Sequence, residues 1–254
     1  MTENFRVTTG FRVDFPENDN SEFSPKLGLL YRPYPATAVR LNGGRGFKLP
    51  SFTALGDPLI GNRSLKPETS LGADIGIEQT FFEGQHSIGI SYFYNRFSRL
   101  IDLDPNLARG GVFRLVNLST VETQGIEASL KIRPVDSTMV KGHFTYLDSD
   151  IKGTAQPLRN RPKFSGGVVL ENHFEQLLLR LDLNIVGRKF DLQIPTRRNS
   201  TPGYAKADLS VTYSLSKRWR LFGVVENLTN TQYEDYIGFR RPGIALRFGF
   251  GLRN

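Results

Sequence analysis

The chain has 254 residues with a net charge of +8, 39% hydrophobic residues and no cysteine. The missing cysteine excludes a disulfide framework and any thiolate metal site. The absence of any run of about 18 apolar residues excludes a membrane-spanning helix, and the Lys and Arg are spread over nearly every segment, which argues against a nucleic-acid face. From the N-terminus the chain alternates with period two. Phe5, Val7, Thr9, Phe11, Val13 and Phe15 fall on one face of segment 3–15, and Asn4, Arg6, Thr8, Gly10, Arg12 and Asp14 on the other. Such alternation is the signature of a strand exposed differently on its two sides.

The pattern predicts about twelve strands, over 3–15, 23–32, 37–48, 70–82, 86–101, 113–133, 138–151, 162–174, 177–194, 203–215, 218–237 and 242–253. Short connections at Pro33-Tyr34-Pro35, Glu83-Gly84-Gln85, Pro134-Val135-Asp136, Glu175-Gln176 and Ser216-Lys217 alternate with long ones. The long ones fall near 14–22, 50–67, 104–111, 153–161 and 195–202. That alternation describes an up-and-down meander with tight turns at one rim and loops at the other. Leu71, Ala73, Ile75 and Ile77 oppose Asp74 and Glu78; Ile126, Ala128 and Leu130 oppose Glu127 and Lys131. Leu179, Leu181 and Leu183 oppose Arg180 and Asp182; Leu209 and Val211 oppose Lys206 and Asp208. No helix is expected to cover the apolar faces. An all-β antiparallel transmembrane barrel, lipid outside and water inside, satisfies such strands.

Aromatic residues cluster where two bilayer interfaces would lie. Tyr31, Tyr34, Phe81, Phe82, Phe174, Tyr213 and Trp219 flank the short turns; Tyr92, Tyr94, Phe97, Phe113, Tyr146 and Phe190 lie toward the long loops. Other chemistry is weakly supported. Gly43-Gly44-Arg45-Gly46 lacks the Gly-Lys-Ser/Thr ending and following helix of a phosphate loop. His86, His143 and His173 have no ligand spacing, so neither a metal nor a cofactor is expected. A membrane lipase would need a Ser–His pair on the lipid-facing wall, and His143 is assigned to the polar face. No catalytic residue is expected, and the chain is read as a non-enzyme.

Several segments together resemble the barrel of TonB-dependent outer-membrane receptors. They are Leu29-Leu30-Tyr31-Arg32-Pro33, Gly44-Arg45-Gly46-Phe47-Lys48-Leu49-Pro50-Ser51-Phe52 and Asn62-Arg63-Ser64-Leu65-Lys66-Pro67-Glu68-Thr69-Ser70. Thr123-Gln124-Gly125-Ile126-Glu127 and Val225-Glu226-Asn227-Leu228-Thr229-Asn230-Thr231-Gln232-Tyr233-Glu234, with Arg241-Pro242-Gly243, complete the set. The resemblance implies uptake of a scarce, bulky ligand, such as a ferric siderophore, cobalamin or glycan, across the outer membrane of a Gram-negative bacterium. It implies a 22-stranded barrel filled by a plug and energised through TonB. Neither plug nor TonB box is recognised in the chain, and MTENFRVTTG is no signal peptide. The expectation is therefore the C-terminal portion of the barrel over 1–254, an open half-barrel with bare outer strands. A self-contained twelve-stranded pore or autotransporter-type translocator is the rival reading.

Within this frame Arg12, Asp74, Glu127, Lys131, Arg180 and Asp208 are expected to face the lumen and plug. Arg109, Arg159, Arg161, Arg197, Arg198 and Arg240, with Tyr204 and Tyr236, are expected to line a ligand vestibule on the long-loop side. Arg forks suit carboxylates and phosphates. The expected partners are outer-membrane lipid and lipopolysaccharide, plug, TonB and a small-molecule or metal-chelate ligand, with no nucleic acid.

Overall fold

A computed structural model describes residues 4–16, 20–104, 114–118, 120–154, 157–191 and 198–252. Twelve strands form one antiparallel sheet, each bonded to its neighbours in chain order. They are β1 (Phe5–Asp14), β2 (Glu22–Tyr34), β3 (Thr37–Lys48), β4 (Glu68–Phe81), β5 (His86–Ser98) and β8 (Thr120–Val135), followed by β9 (Thr138–Ile151), β10 (Phe164–Phe174), β11 (Leu177–Val186), β14 (Tyr204–Ser214), β15 (Trp219–Glu226) and β18 (Ala245–Leu252). Three two-stranded ribbons rise from the long connections. They are β6 (Ile101–Leu103) with β7 (Leu115–Asn117), β12 (Lys189–Phe190) with β13 (Ser200–Thr201), and β16 (Glu234–Tyr236) with β17 (Phe239–Arg240).

The sheet is not closed. Among the described residues β1 is paired only to β2, and β18 only to β15. The expected meander and bare edges are both present. Four predicted strands were too long: 86–101, 113–133, 177–194 and 218–237 each break at the rim, where a separate ribbon begins. The last strand is likewise shorter than 242–253. The expectation of no helix also needs correcting, because α1 (Phe52–Gly56) forms one turn. The Ser51 hydroxyl caps it by accepting from the Ala54 amide at 3.1 Å, and five residues are too few to show a helical period.

Register explains why each strand keeps one apolar face. Successive partners across six strands are Leu41, Ile75, Tyr92, Ile126, Tyr146 and Phe164, all on the same side of the sheet. A slip of one residue would replace this belt with charged neighbours. The apolar side chains stay uncovered: Ile75 is 50% exposed, Ile90 52% and Phe248 91%. A water-soluble sheet does not leave one whole face bare in this way. The only buried apolar cluster among the described residues, Leu118, Val121, Ile151 and Leu158, sits at the long-loop rim. Phe97 packs against that cluster and so does not belong to the outer aromatic band.

Tyr31, Tyr34, Phe81, Phe82, Phe174, Tyr213 and Trp219 are all exposed beside the short turns. Toward the other rim, Tyr92 donates its hydroxyl to Gln124 Oε1 at 2.9 Å, while Tyr146 and Phe144 pack on Phe164 at 5.2 and 6.3 Å between centroids. Rings with an apolar body and a polar tip favour the two interfaces of a bilayer. Phe113 lies outside the described residues.

Candidate functional site

Two polar surfaces remain once the apolar face is assigned: the opposite face of the sheet and the layer formed by the long connections.

On the polar face, Arg40 Nη1 donates to Glu78 at 2.7 Å, and Asn42 Nδ2 to Asp74 at 2.8 Å. Arg180 forks onto both oxygens of Asp182 at 2.7 Å and also pairs with Glu171 on β10. Lys206 donates to Asp208 at 2.6 Å, and Arg12 pairs with Asp14. Glu127 lines a cleft of about 470 Å³ with Arg40, Asn42, Asp74, Glu78 and His143. Lys131 lies directly opposite Lys141 across the β8–β9 ladder, an arrangement that costs stability unless an anion is near. Arg12, Asp74, Glu127, Lys131, Arg180 and Asp208 all lie on the face opposite the apolar belt. His143 is on that face too, away from the lipid wall a lipase would use.

Gly125 marks a close approach on this face. A Cβ at Gly125 would fall 2.0 Å from the Tyr146 carbonyl oxygen and 2.6 Å from the Phe93 ring. Gly44 and Gly46 lie inside β3, where added Cβ atoms would meet the Pro25 carbonyl at 3.1 Å and Ser70 Oγ at 2.7 Å. The glycine run is strand packed against strand, not a phosphate loop.

The long connections are tied together by ion pairs. Arg159 donates to Asp102 at 2.7 and 3.1 Å and to Asp191 at 3.3 Å, linking the loop after β9 to the β6 and β12 ribbons. Asp191 is 4% exposed and also accepts from the Ile237 amide at 3.1 Å. Lys189, also buried, donates to the Asp235 carbonyl at 2.7 Å. Tyr204 stacks on Tyr233 at 4.2 Å. Arg198 and Arg240 both approach Glu234, at 2.9 and 4.0 Å. Arg161, Arg198, Tyr236 and Arg240 are exposed, whereas Arg159 is committed to its carboxylates. Arg109 and Arg197 lie outside the described residues.

The carboxylates Asp102, Asp191, Glu234 and Asp235 were not singled out by sequence. Their signal, acids in the same long loops as the arginines, was present but could not be paired without coordinates. Among these loop groups, the Arg198 hydrogen bond and the Gly238 amide hold Glu234 below the usual carboxylate range. Asp57 is also held low, by hydrogen bonds from the Ile60 and Leu59 amides. Lys152 is pushed up by Asp150 and Glu122.

The motif residues anchor the rim. Asn62 donates to the Leu115 carbonyl at 2.9 Å and accepts from Ser64. Glu68, 9% exposed, accepts from the Ile101 amide at 2.8 Å. Asn227, 3% exposed and at φ 51°, accepts from the Thr231 amide and donates to the Thr231 and Pro242 carbonyls. Its own amide donates to Asp208 at 2.7 Å, joining the rim knot to the polar face. Among the described residues no group of three or more His, Cys, Asp or Glu is placed to hold a metal ion.

A meander of two-faced strands, bare on the apolar side and ion-paired on the other, defines wall from a membrane-spanning β-barrel. The chain belongs to the TonB dependent receptor-like β-barrel family, whose model matches residues 1–228. It is 25% identical to the iron-regulated outer membrane virulence protein of Vibrio cholerae over 99% of this chain and 42% of that protein. It is 26% identical to the vitamin B12 transporter BtuB of Photobacterium profundum over 92% of this chain and 39% of that one. Among solved structures, the ferric enterobactin receptor PfeA of Pseudomonas aeruginosa (a G324V mutant) superposes with a TM-score of 0.81 at 20% identity, over 99% of this chain and 43% of the receptor. The chain thus spans less than half the length of these relatives.

Proposed function

We propose that this chain is barrel wall and ligand-binding loops of an outer-membrane receptor that takes up a scarce, bulky ligand into a Gram-negative cell. The ligand class is a ferric siderophore or cobalamin, and a plug and TonB supply gating and energy in the complete receptor. One observation carries this reading: a row of charged side chains on the face opposite a bare apolar wall, in a chain of this family. Arg12, Asp74, Glu127, Lys131, Arg180 and Asp208 would meet plug and water there. Paired Lys131 and Lys141 present unneutralised charge that a plug carboxylate or bound anion would relieve. Arg161, Tyr236 and Arg240 are exposed where an anionic ligand entering from the extracellular side would meet them, with Arg198 beside them on the Glu234 carboxylate, while Arg159 holds the loops that present them.

A self-contained pore would need β1 to pair with β18, and they do not pair. The test is uptake by cells carrying the receptor that contains this chain. Ferric siderophore or cobalamin uptake should require both the receptor and TonB. R198A/R240A should raise the half-saturating concentration roughly 5- to 150-fold with little change in surface level, as for loss of two solvent-exposed hydrogen bonds of about 0.5–1.5 kcal/mol each. Uptake unchanged by TonB deletion would exclude the reading.

A further inference from the structure

We propose that Lys189 of β12 and Asp191 just after it are positioning residues: buried themselves, they fix the β16–β17 ribbon and with it the ligand contacts Tyr236 and Arg240. The inference rests on the transport reading above and assigns a role within the same rim. The ribbon is too small to hold itself. Its pairs are Glu234 with Arg240 and Tyr236 with Phe239, with a register shift between them, and its turn passes through Ile237 and Gly238, the latter at φ 86°. A lone two-stranded hairpin is marginal in water, so what the ribbon touches decides where it sits. Tyr236, Phe239 and Arg240 are exposed and spend nothing on that task.

The foot of the ribbon rests on the wall, where Tyr233 stacks on Tyr204 of β14 and its carbonyl accepts from the Arg241 amide at 3.0 Å. The tip rests on β12. The amide of Ile237, a buried residue, donates to Asp191 Oδ2 at 3.1 Å, and Lys189 Nζ donates to the Asp235 carbonyl at 2.7 Å. Both charged groups grip main chain, which leaves the ribbon's side chains free for other work. The grip is itself anchored. Lys189 pairs with Thr201 and bridges to Pro162. Asp191 accepts from Arg159 at 3.3 Å, and its amide donates to the Asn199 carbonyl at 3.2 Å. Apolar residues in these two places would bury equally well, since buried charges seldom add stability over apolar replacements of the same volume. What a charge-assisted bond to a main-chain amide or carbonyl adds is direction. The buried Ile237 side chain alone would admit several placements of the tip; the two bonds admit one.

The experiment is concentration-dependent uptake of a radiolabelled ferric siderophore or of cobalamin, whichever wild-type cells accumulate, by cells carrying the receptor that contains this chain. K189M and D191L should each raise the half-saturating concentration roughly 3- to 30-fold, by lowering the fraction of receptors with the ribbon in place, while maximal rate and surface level stay as in wild type. D191N keeps an oxygen for the Ile237 amide and should recover most of the loss. K152M, which removes a lysine paired with Glu122 and Asp150 elsewhere on the rim, should leave the half-saturating concentration unchanged. In the purified receptor without ligand, hydrogen exchange over residues 234–240 should rise in K189M and D191L. An unchanged half-saturating concentration in both, or a lower maximal rate at unchanged half-saturation, overturns the proposal. Equal loss in D191N and D191L removes Asp191 from it. Should D191L fail to insert, K189M decides alone, because methionine preserves the volume of the buried stem. Absence of TonB-dependent uptake in wild type would sink the transport reading instead; exchange then decides the positioning role, which wild-type exchange in both variants refutes.

Discussion

Asn227 does several jobs that no other side chain of its size could combine. It tolerates φ 51°, offers both an acceptor and a donor, and is almost wholly buried. Asn227→Ala keeps none of the side-chain bonds and forces alanine into the left-handed region. The expected loss is at least about 2 kcal/mol, from hydrogen bonds worth about 1 kcal/mol each and partners left dry. The urea midpoint of the folded receptor in detergent checks it. Gly125 makes the opposite demand, since any side chain there meets Phe93 and a main-chain oxygen. Gly125→Ala should cost about 1–3 kcal/mol by overpacking, and G125A combined with Phe93→Leu should recover part of it. Heat-modifiable gel mobility reads both variants.

At the scale of elements, the long connections behave as one layer because Arg159 bridges two of them. Arg159→Ala should leave the twelve strands intact while hydrogen exchange rises in Ile101–Leu103 and Lys189–Phe190, the ribbons it ties. Arg159→Lys should restore little, because an ammonium cannot reproduce the fork onto Asp102. The β16–β17 ribbon responds to pH instead. Glu234 is held below its ordinary value, so its contribution is present above the unfolded carboxylate range and is lost as pH falls through the folded value. Protection against exchange in Glu234–Tyr236, taken relative to the intrinsic rate at each pH, should therefore fall below about pH 4 and hold between pH 6 and 8. The reverse order would show that the Arg198–Glu234 pair does not hold the ribbon.

For the whole molecule, the decisive property is which face meets lipid. Ile90→Arg places a charge on the apolar belt and should cost about 2–4 kcal/mol near mid-membrane. Thr145→Arg, on the polar face directly opposite Glu127, should be close to neutral. Comparing the insertion yields of the two variants tests the assignment of faces. The open edges carry a further constraint. Twelve antiparallel strands leave β1 and β18 running in opposite directions, so any complement that closes the barrel contributes an even number of strands. Ten more, making the 22 that the family resemblance implies, meets this condition.

The alternation in Phe5, Val7, Phe11 and Val13, repeated strand after strand, was enough to determine the meander, the two faces and the membrane setting. Period two depends only on local backbone geometry and on the cost of a charge in lipid. The short turns and the family motifs were legible for the same reason, being contiguous. The rim was not legible. Arg159 reads as a ligand contact in isolation, and only the meeting of loops 57 and 32 residues away assigns it to Asp102 and Asp191. The strand ends were equally hidden, because β8, β11 and β15 stop where they leave the sheet and not where their apolar pattern ends. Pairings between distant loops depend on how the wall curves them together, and no local period records that.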